Sequence, residues 1–433
     1  GDRARAIGLR TLKRAAGAVT RLVPISTPVL LVGPGSAARL GRAVADFGHR
    51  RVLLVTDAVV MELGLTASLT DALAAAGVQV TVFAAVTADA PIAVIAQGLA
   101  LYTSHACEAI VAFGGGSVMD AAKVIGLAAA NGKPPRQLVG YFKGRHGPAP
   151  IYAVPTTAGT GSEVTVAAII SDPEAGTKMM VADSRLVPEM AALDPTLMTG
   201  LPPAVTAATG MDALTHAVEA CISGWANDTT DRWALAAVGM IWEHLPRAWS
   251  NGNDLHSREQ MALASTYAGL AFTRANVGNV HAIAHQLGGR YHVPHGLANA
   301  IMLPPVLRFS LPDAAPRLAR LARRVGLAGR GDTALAKKFV DGVQALNDAL
   351  QIPRTLETLR EEDIPALATA ACHEADFNYP VPRRMTQADA EALLRQVLPA
   401  AAPAAKAAKA AKPRTQPRPQ RRAAASSKAA ISE

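Results

Sequence analysis

The stretch Val111-Ala-Phe-Gly114-Gly115-Gly116-Ser117-Val-Met-Asp120 runs from an apolar segment through three glycines into an Ala/Val-rich segment. A strand, a glycine turn and a helix in that order form one unit of a parallel sheet crossed by helices. Ser117 and Asp120 stand at capping-box spacing, with Asp in place of Glu, and so predict a helix start. Neighbouring segments repeat the unit. Val29–Val32, Arg51–Thr56, Gln79–Phe83, Ala109–Phe113 and Ile151–Val154 are short apolar runs, and Leu65–Ala76 and Ile92–Tyr102 between them are Ala/Leu-rich. Strands this continuously apolar, alternating with helices, predict a Rossmann-like parallel sheet covered on both faces.

From about Asp194 the strands cease. Pro203–Ser223, Asp231–His244, Arg258–Phe272, Val280–Arg290, Ala315–Val325, Thr355–Leu359 and Gln387–Val397 read as helices punctuated by Gly and Pro. The expected organisation is a basic leader over 1–27, an α/β domain over 28–194, an all-helical domain over 195–398 and an Ala/Lys/Pro-rich tail over 399–433. A cleft between two such halves is a natural ligand site.

Half of the 433 residues are hydrophobic and 18% are charged, so the chain can bury a large core. The net charge of +9 sits mostly in the tail, which holds eight Lys/Arg and one acid. The preceding 398 residues carry 35 basic and 33 acidic side chains, which argues against a nucleic-acid-reading face on the folded body. The tail is expected to be disordered, the alternative being a weak contact with nucleic acid or another polyanion. Cys107, Cys221 and Cys372 are too few and too scattered for a disulfide framework, and imply free thiols in a reducing, cytoplasmic setting. No apolar run reaches the roughly 18–20 residues a membrane helix needs.

The glycine turn lets backbone N–H groups approach a phosphate, and a helix N-terminus attracts an anion; a tight structural turn is the other reading. Asp57 closes the run Arg51–Thr56, where a carboxylate can hold a ribose hydroxyl and repel a 2′-phosphate; it also suits an ordinary turn. The acid precedes the glycines, so this is not the usual dinucleotide fingerprint, and Gly33-Pro-Gly35 fails the GxGxxG spacing. Pro155-Thr156-Thr157-Ala-Gly159-Thr160-Gly161-Ser162-Glu163 offers hydroxyls and glycines to phosphate or ribose oxygens, or is simply a polar loop.

Asp212 and His216 are four residues apart, as are His281 and His285, which places each pair on one helix face; His295 follows in Val293-Pro-His-Gly296. One carboxylate and three imidazoles suit a divalent metal such as Fe2+ or Zn2+. A zinc-protease helix would need Glu directly after the first histidine, and Ala282 stands there.

Taken together, Gly114–Lys123, Pro155–Thr165, Leu193–Pro195, Gly210–Glu219 and His281–Asn299 resemble the iron-dependent (group III) alcohol dehydrogenase family, which includes lactaldehyde reductases and 1,3-propanediol dehydrogenases. The resemblance spans about residues 28–397 and implies a dehydroquinate synthase-like plan, an N-terminal α/β domain for NAD(P) and an all-α domain for the metal. It implies metal ligation by Asp212, His216, His281 and His295, with His285 as a proton relay beside the substrate. Nucleotide contacts fall on Asp57, Gly115, Gly116, Ser117, Asp120, Thr156, Thr157, Lys178 and Val205. The implied activity is reversible hydride transfer between a small alcohol or diol and its aldehyde or ketone. NAD is the expected cofactor ahead of NADP, Fe2+ the expected metal with Zn2+ as the substitute, and a homodimer or larger homo-oligomer the expected assembly. Hydroxyacid–oxoacid transhydrogenases and 4-hydroxybutyrate dehydrogenases share the fold and stand as alternatives. Two stretches depart from the family pattern: Thr87-Ala-Asp89-Ala90 before Pro91, where many members carry Asn-Pro, and Cys372–Met385.

Overall fold

The computed structural model describes Gly17, residues 23–174 and residues 177–399. Apart from Gly17, the expected leader through residue 22 and the tail from residue 400 lie outside the described residues.

The elements of the first half are β1 (Val29–Val32), α1 (Ser36–Asp46), β2 (Arg51–Val55), α2 (Ala58–Glu62), α3 (Ala67–Ala75), β3 (Gln79–Phe83), α4 (Ile92–Ser104), β4 (Ala109–Gly114), α5 (Gly116–Asn131), β5 (Gly140–Tyr141), β6 (Ile151–Pro155), β7 (Ala167–Asp172), β8 (Thr177–Ala182) and β9 (Met190–Leu193). Six strands form one sheet in the order β1-β9-β6-β4-β2-β3, and every pairing in it is parallel. The central strands β4, β6 and β9 are buried at every position, which is why β4 and β6 read as continuous apolar runs; β9, four residues long, is a strand the sequence reading did not include. Alternate side chains of β2 go to opposite faces: Val52 and Leu54 join Leu40, Leu69 and Leu73 of α1 and α3, whereas Leu53 and Val55 join Ile95, Val118 and Ile125 of α4 and α5.

The connection after β2 leaves toward β3 and the connection after β4 leaves toward β6, on the other side. Adjacent strands whose crossovers diverge open a crevice at their carboxyl ends. Asp57 and Gly115 follow those two strands and stand at that crevice. Thr56 Oγ1 donates to the Phe113 carbonyl at 2.7 Å and ties the two strand ends together.

A second sheet, β5-β8-β7, contains an antiparallel hairpin of β7 and β8. The sequence reading did not include it, because β7 alternates buried and half-buried positions and ends in polar residues.

After β9 the described chain is helical: α6 (Pro203–Ile222), α7 (Asp228–Ser250), α8 (Leu255–Ala275), α9 (Asn279–Tyr291), α10 (His295–Arg324), α11 (Asp332–Ala349), α12 (Ile364–Asn378) and α13 (Gln387–Arg395). α6 is buried on nearly all sides and forms the axis of this half, as an all-round apolar helix must. Two helical expectations change. α10 runs twenty residues further toward the N-terminus than Ala315, through Pro304, Pro305 and Pro312, because packing in the core overrides the lost backbone donors. Thr355–Leu359 is not helical; Leu356 and Leu359 are buried plugs, and Leu356 N–H donates to the Val397 carbonyl at 2.8 Å. No helix among the described residues is long and apolar enough to cross a membrane.

Candidate metal centre and nucleotide crevice

Helical spacing puts Asp212 and His216 on one face of α6, while α9 delivers His281 from its first turn and α10 begins at His295. Gly296 lets α10 lie directly on α6, since a Cβ there would stand 2.3 Å from the Ala208 carbonyl oxygen and 3.2 Å from Asp212 Cβ. His295 Nε2 thereby comes within 3.5 Å of Asp212 Oδ1. The His216 ring is stacked between Phe272 and His281, with centroids 4.2 and 4.6 Å away. One ligand atom from each of Asp212, His216, His281 and His295 lies within 4.8 Å of all the others.

The donor chemistry of this cluster fits a divalent cation. His216 Nδ1 is buried and has no hydrogen-bond partner among the described residues. The Asn299 side-chain amide donates to Asp212 Oδ1 at 2.7 Å, and its nitrogen lies 3.2 and 3.1 Å from Nε2 of His281 and His295, so three of the four donors converge on one hydrogen-bond-donating group. Burial, reinforced by the neighbouring histidines, holds His281 well below the usual imidazole value. Burial also lowers His216, against the pull of Asp212. It brings His295 to about 4, again against Asp212 and with the charges of His285, His216 and Lys178 acting in the same direction. These rings are neutral near pH 7, the form in which imidazole ligates a metal.

His285 lies one helical turn after His281, and its ring stacks on His295 at 5.3 Å between centroids. It is half-buried, and its Nδ1 donates to Glu374 Oε1 at 2.6 Å. Tyr379 O–H donates to the same oxygen, and Gln286 donates to Glu374 Oε2. Glu374 lies within the Cys372–Met385 stretch that departs from the family pattern.

At the crevice, Asp57 is the N-cap of α2 and accepts from Val60 N–H at 2.9 Å. Gly115 is the N-cap of α5, and no side chain caps that helix. The capping-box expectation is therefore corrected: Ser117 Oγ accepts from Asp89 N–H, and the Asp120 carboxylate accepts from Ser162 Oγ and Ile169 N–H, both at 2.8 Å. Asp120 is committed to holding the loop after β6. Thr156 is buried and donates its N–H to the Gly114 carbonyl, and Thr157 lies against Gly115. Lys178 on β8 pairs with Asp89 at 2.8 Å. Val205, in the first turn of α6, is 37% exposed.

Sequence reasoning missed four groups. Glu219 and Asn299 contact the proposed ligands, and Glu374 holds His285. Lys123 is wholly buried and donates to Ser162 Oγ, Thr165 Oγ1 and the carbonyls of Thr165 and Ala167 at 2.8–3.0 Å. A charged residue in an otherwise apolar helix run was the available signal for Lys123 and Glu219.

Comparison with known proteins gives a consistent picture. Residues 27–195 match the model described as iron-containing alcohol dehydrogenase, and residues 206–398 match that of the Fe-containing alcohol dehydrogenase family, C-terminal. The chain is 36% identical over 375 residues to the NAD-dependent methanol dehydrogenase of Bacillus methanolicus, covering 86% of this chain and 98% of that one. It is 38% identical over 370 residues to the 1,3-propanediol dehydrogenase of Klebsiella pneumoniae, covering 84% and 95%. The crystal structure of a 1,3-propanediol oxidoreductase superposes with a TM-score of 0.84 at 37% identity, over 87% of this chain and all of that one.

Proposed function

The chain belongs to the iron-containing alcohol dehydrogenase family, an NAD-linked group of oxidoreductases, and on that premise we propose that it interconverts a small primary alcohol or diol and its aldehyde. The observation that carries this reading is the convergence of Asp212, His216, His281 and His295, one ligand atom from each lying within 4.8 Å of the others, with the His285 ring stacked on His295. In this reading those four residues hold Fe2+, or Zn2+ in its place, and the crevice after β2 and β4 holds NAD. The metal supplies Lewis-acid polarisation of the substrate oxygen, and the nicotinamide supplies the hydride chemistry.

The residues of the chain do the rest. Backbone N–H groups at Gly115, Gly116 and Ser117 hold the pyrophosphate at the N-terminus of α5. The free oxygen of Asp57 accepts from a ribose hydroxyl and disfavours a 2′-phosphate. Thr156 and Thr157 line the phosphate side, Val205 packs on the nucleotide, and Lys178 adds a positive charge that Asp89 partly offsets. His285 keeps its Nδ1 proton on Glu374, so its Nε2 is free to take the proton from a substrate hydroxyl.

A domain boundary at Asp194–Pro195, a homo-oligomer and a cytoplasmic setting complete the proposal; the free thiols Cys107, Cys221 and Cys372 are in keeping with the last. The test is a screen of NADH absorbance over short alcohols, diols and hydroxyacids with metal-stripped protein repleted with Fe2+ or Zn2+. Metal-dependent release of free NADH is the expected result. Turnover without free NADH would favour a transhydrogenase, and no alcohol-dependent turnover in the repleted protein would refute the reading.

A further inference from the structure

Glu219 lies two turns after Asp212 on α6 and is 3% exposed. Its carboxylate faces the start of α9. Oε2 accepts from Gly278 N–H at 2.9 Å and from His281 Nδ1 at 2.6 Å, and Oε1 accepts from Val280 N–H at 2.7 Å. Gly278 is the N-cap of α9 and supplies no capping side chain, and a Cβ there would stand 2.8 Å from Glu219 Oε1. The glycine makes room for a carboxylate that caps α9 from a neighbouring helix.

We infer that Glu219 is a positioning residue of the metal centre, holding His281 in the tautomer that turns a bare Nε2 toward Asp212, His216 and His295. This rests on the reading of those four side chains as a metal site. A carboxylate accepts only, so the proton between it and the ring belongs to Nδ1. Nε2 then carries a lone pair, in accord with the Asn299 amide nitrogen 3.2 Å from it. The carboxylate also makes the imidazole a stronger donor to a cation. Glutamine cannot reproduce this. With its NH2 on the His281 side it would donate to Nδ1 and drive the proton to Nε2, removing the ligating lone pair. With its NH2 on the other side it would confront Val280 N–H, donor against donor.

The test measures Zn2+ affinity of metal-stripped full-length protein by competition with a chromophoric chelator. The thermal midpoint of the stripped protein reports folding separately. Glu219→Gln is expected to weaken Zn2+ binding about 10- to 100-fold. Because Glu219 also caps α9, a second variant combines Glu219→Ala with Gly278→Ser, which returns a capping hydroxyl but no carboxylate for His281. Its stripped form is expected to regain thermal stability while its Zn2+ affinity stays reduced. Affinity within about threefold of the unsubstituted chain in either variant would overturn the inference, being well under the usual effect of such a partner. An unsubstituted chain that takes up no Zn2+ would instead overturn the four-donor site.

Discussion

Gly115→Ala separates the glycine that serves the cofactor from those that serve packing. Gly115 has φ −80° and ψ −170°, a conformation open to any L-residue. It stands at an N-cap, where Ser, Asp or Asn is the common choice. A Cβ there would meet nothing nearer than Thr157 Oγ1 at 3.5 Å, an ordinary contact. At Gly116 a Cβ would stand 2.6 Å from Thr160 Cγ2, so packing alone demands glycine. A methyl at 115 would intrude on the open side of the turn, keeping a phosphate oxygen at van der Waals distance from donors it should contact. Losing one such charge-assisted bond costs about 1.5–3 kcal/mol, or roughly 10- to 150-fold in Kd. Fluorescence titration with NADH should show that rise, with the thermal midpoint nearly unchanged. Gly116→Ala should instead lower the midpoint, and adding Thr160→Ser, which lacks the clashing methyl, should restore much of it. NADH affinity unaltered by Gly115→Ala would refute the placement of the pyrophosphate at this turn.

Asp57→Gly should raise kcat/KM for NADP relative to NAD by about tenfold, the effect of removing one hydrogen-bonding and repelling carboxylate. Glycine is a fair N-cap, so stability should fall by only a few tenths of a kcal/mol; a constant cofactor ratio would remove Asp57 from the ribose site. Lys123→Met leaves the buried Thr165 carbonyl without its donor and leaves the Ala167 carbonyl only Thr165 Oγ1, at 3.3 Å. With about 1–3 kcal/mol per orphaned group, the urea midpoint should drop clearly, and an unmoved midpoint would contradict the anchoring role. Burial pushes the Cys221 thiol up to about 12 and Cys372 to about 11, and raises Cys107 as well. Iodoacetamide at neutral pH should therefore leave activity intact, whereas progressive inactivation would reveal a reactive thiol.

The parallel sheet was legible because β4 and β6 are covered on both faces and so carry no polar alternation to confuse the pattern, whereas β9, only four residues long, escaped it. The hairpin of β7 and β8 lacks that property, and the prolines of α10 imitate a helix end where the surrounding core permits none. At the site, i,i+4 spacing revealed Asp212 with His216 and His281 with His285, since that relation is local to one helix. Gly296 settles the approach of His295 to Asp212 through a contact between two helices, which no spacing records. Glu374 in a helical pattern looks like a solvated surface residue, and Glu219, though conspicuous in an apolar run, has no partner that spacing can name; their engagement with His281 and His285 emerges only when the helices come together. Asp120 shows the converse: a local capping rule fitted its position, yet a loop distant in sequence claims its carboxylate.

The four donors come from three separate helices, α6, α9 and α10. Any ion gripped by all of them acts as a rivet through the middle of the helical half, and its affinity adds to the work of pulling that half apart. At a free concentration a thousand times Kd the gain is about 4 kcal/mol. Heat resistance would then record a sample's ionic history, and two preparations of identical sequence would melt apart from one another according to the chelators they had met.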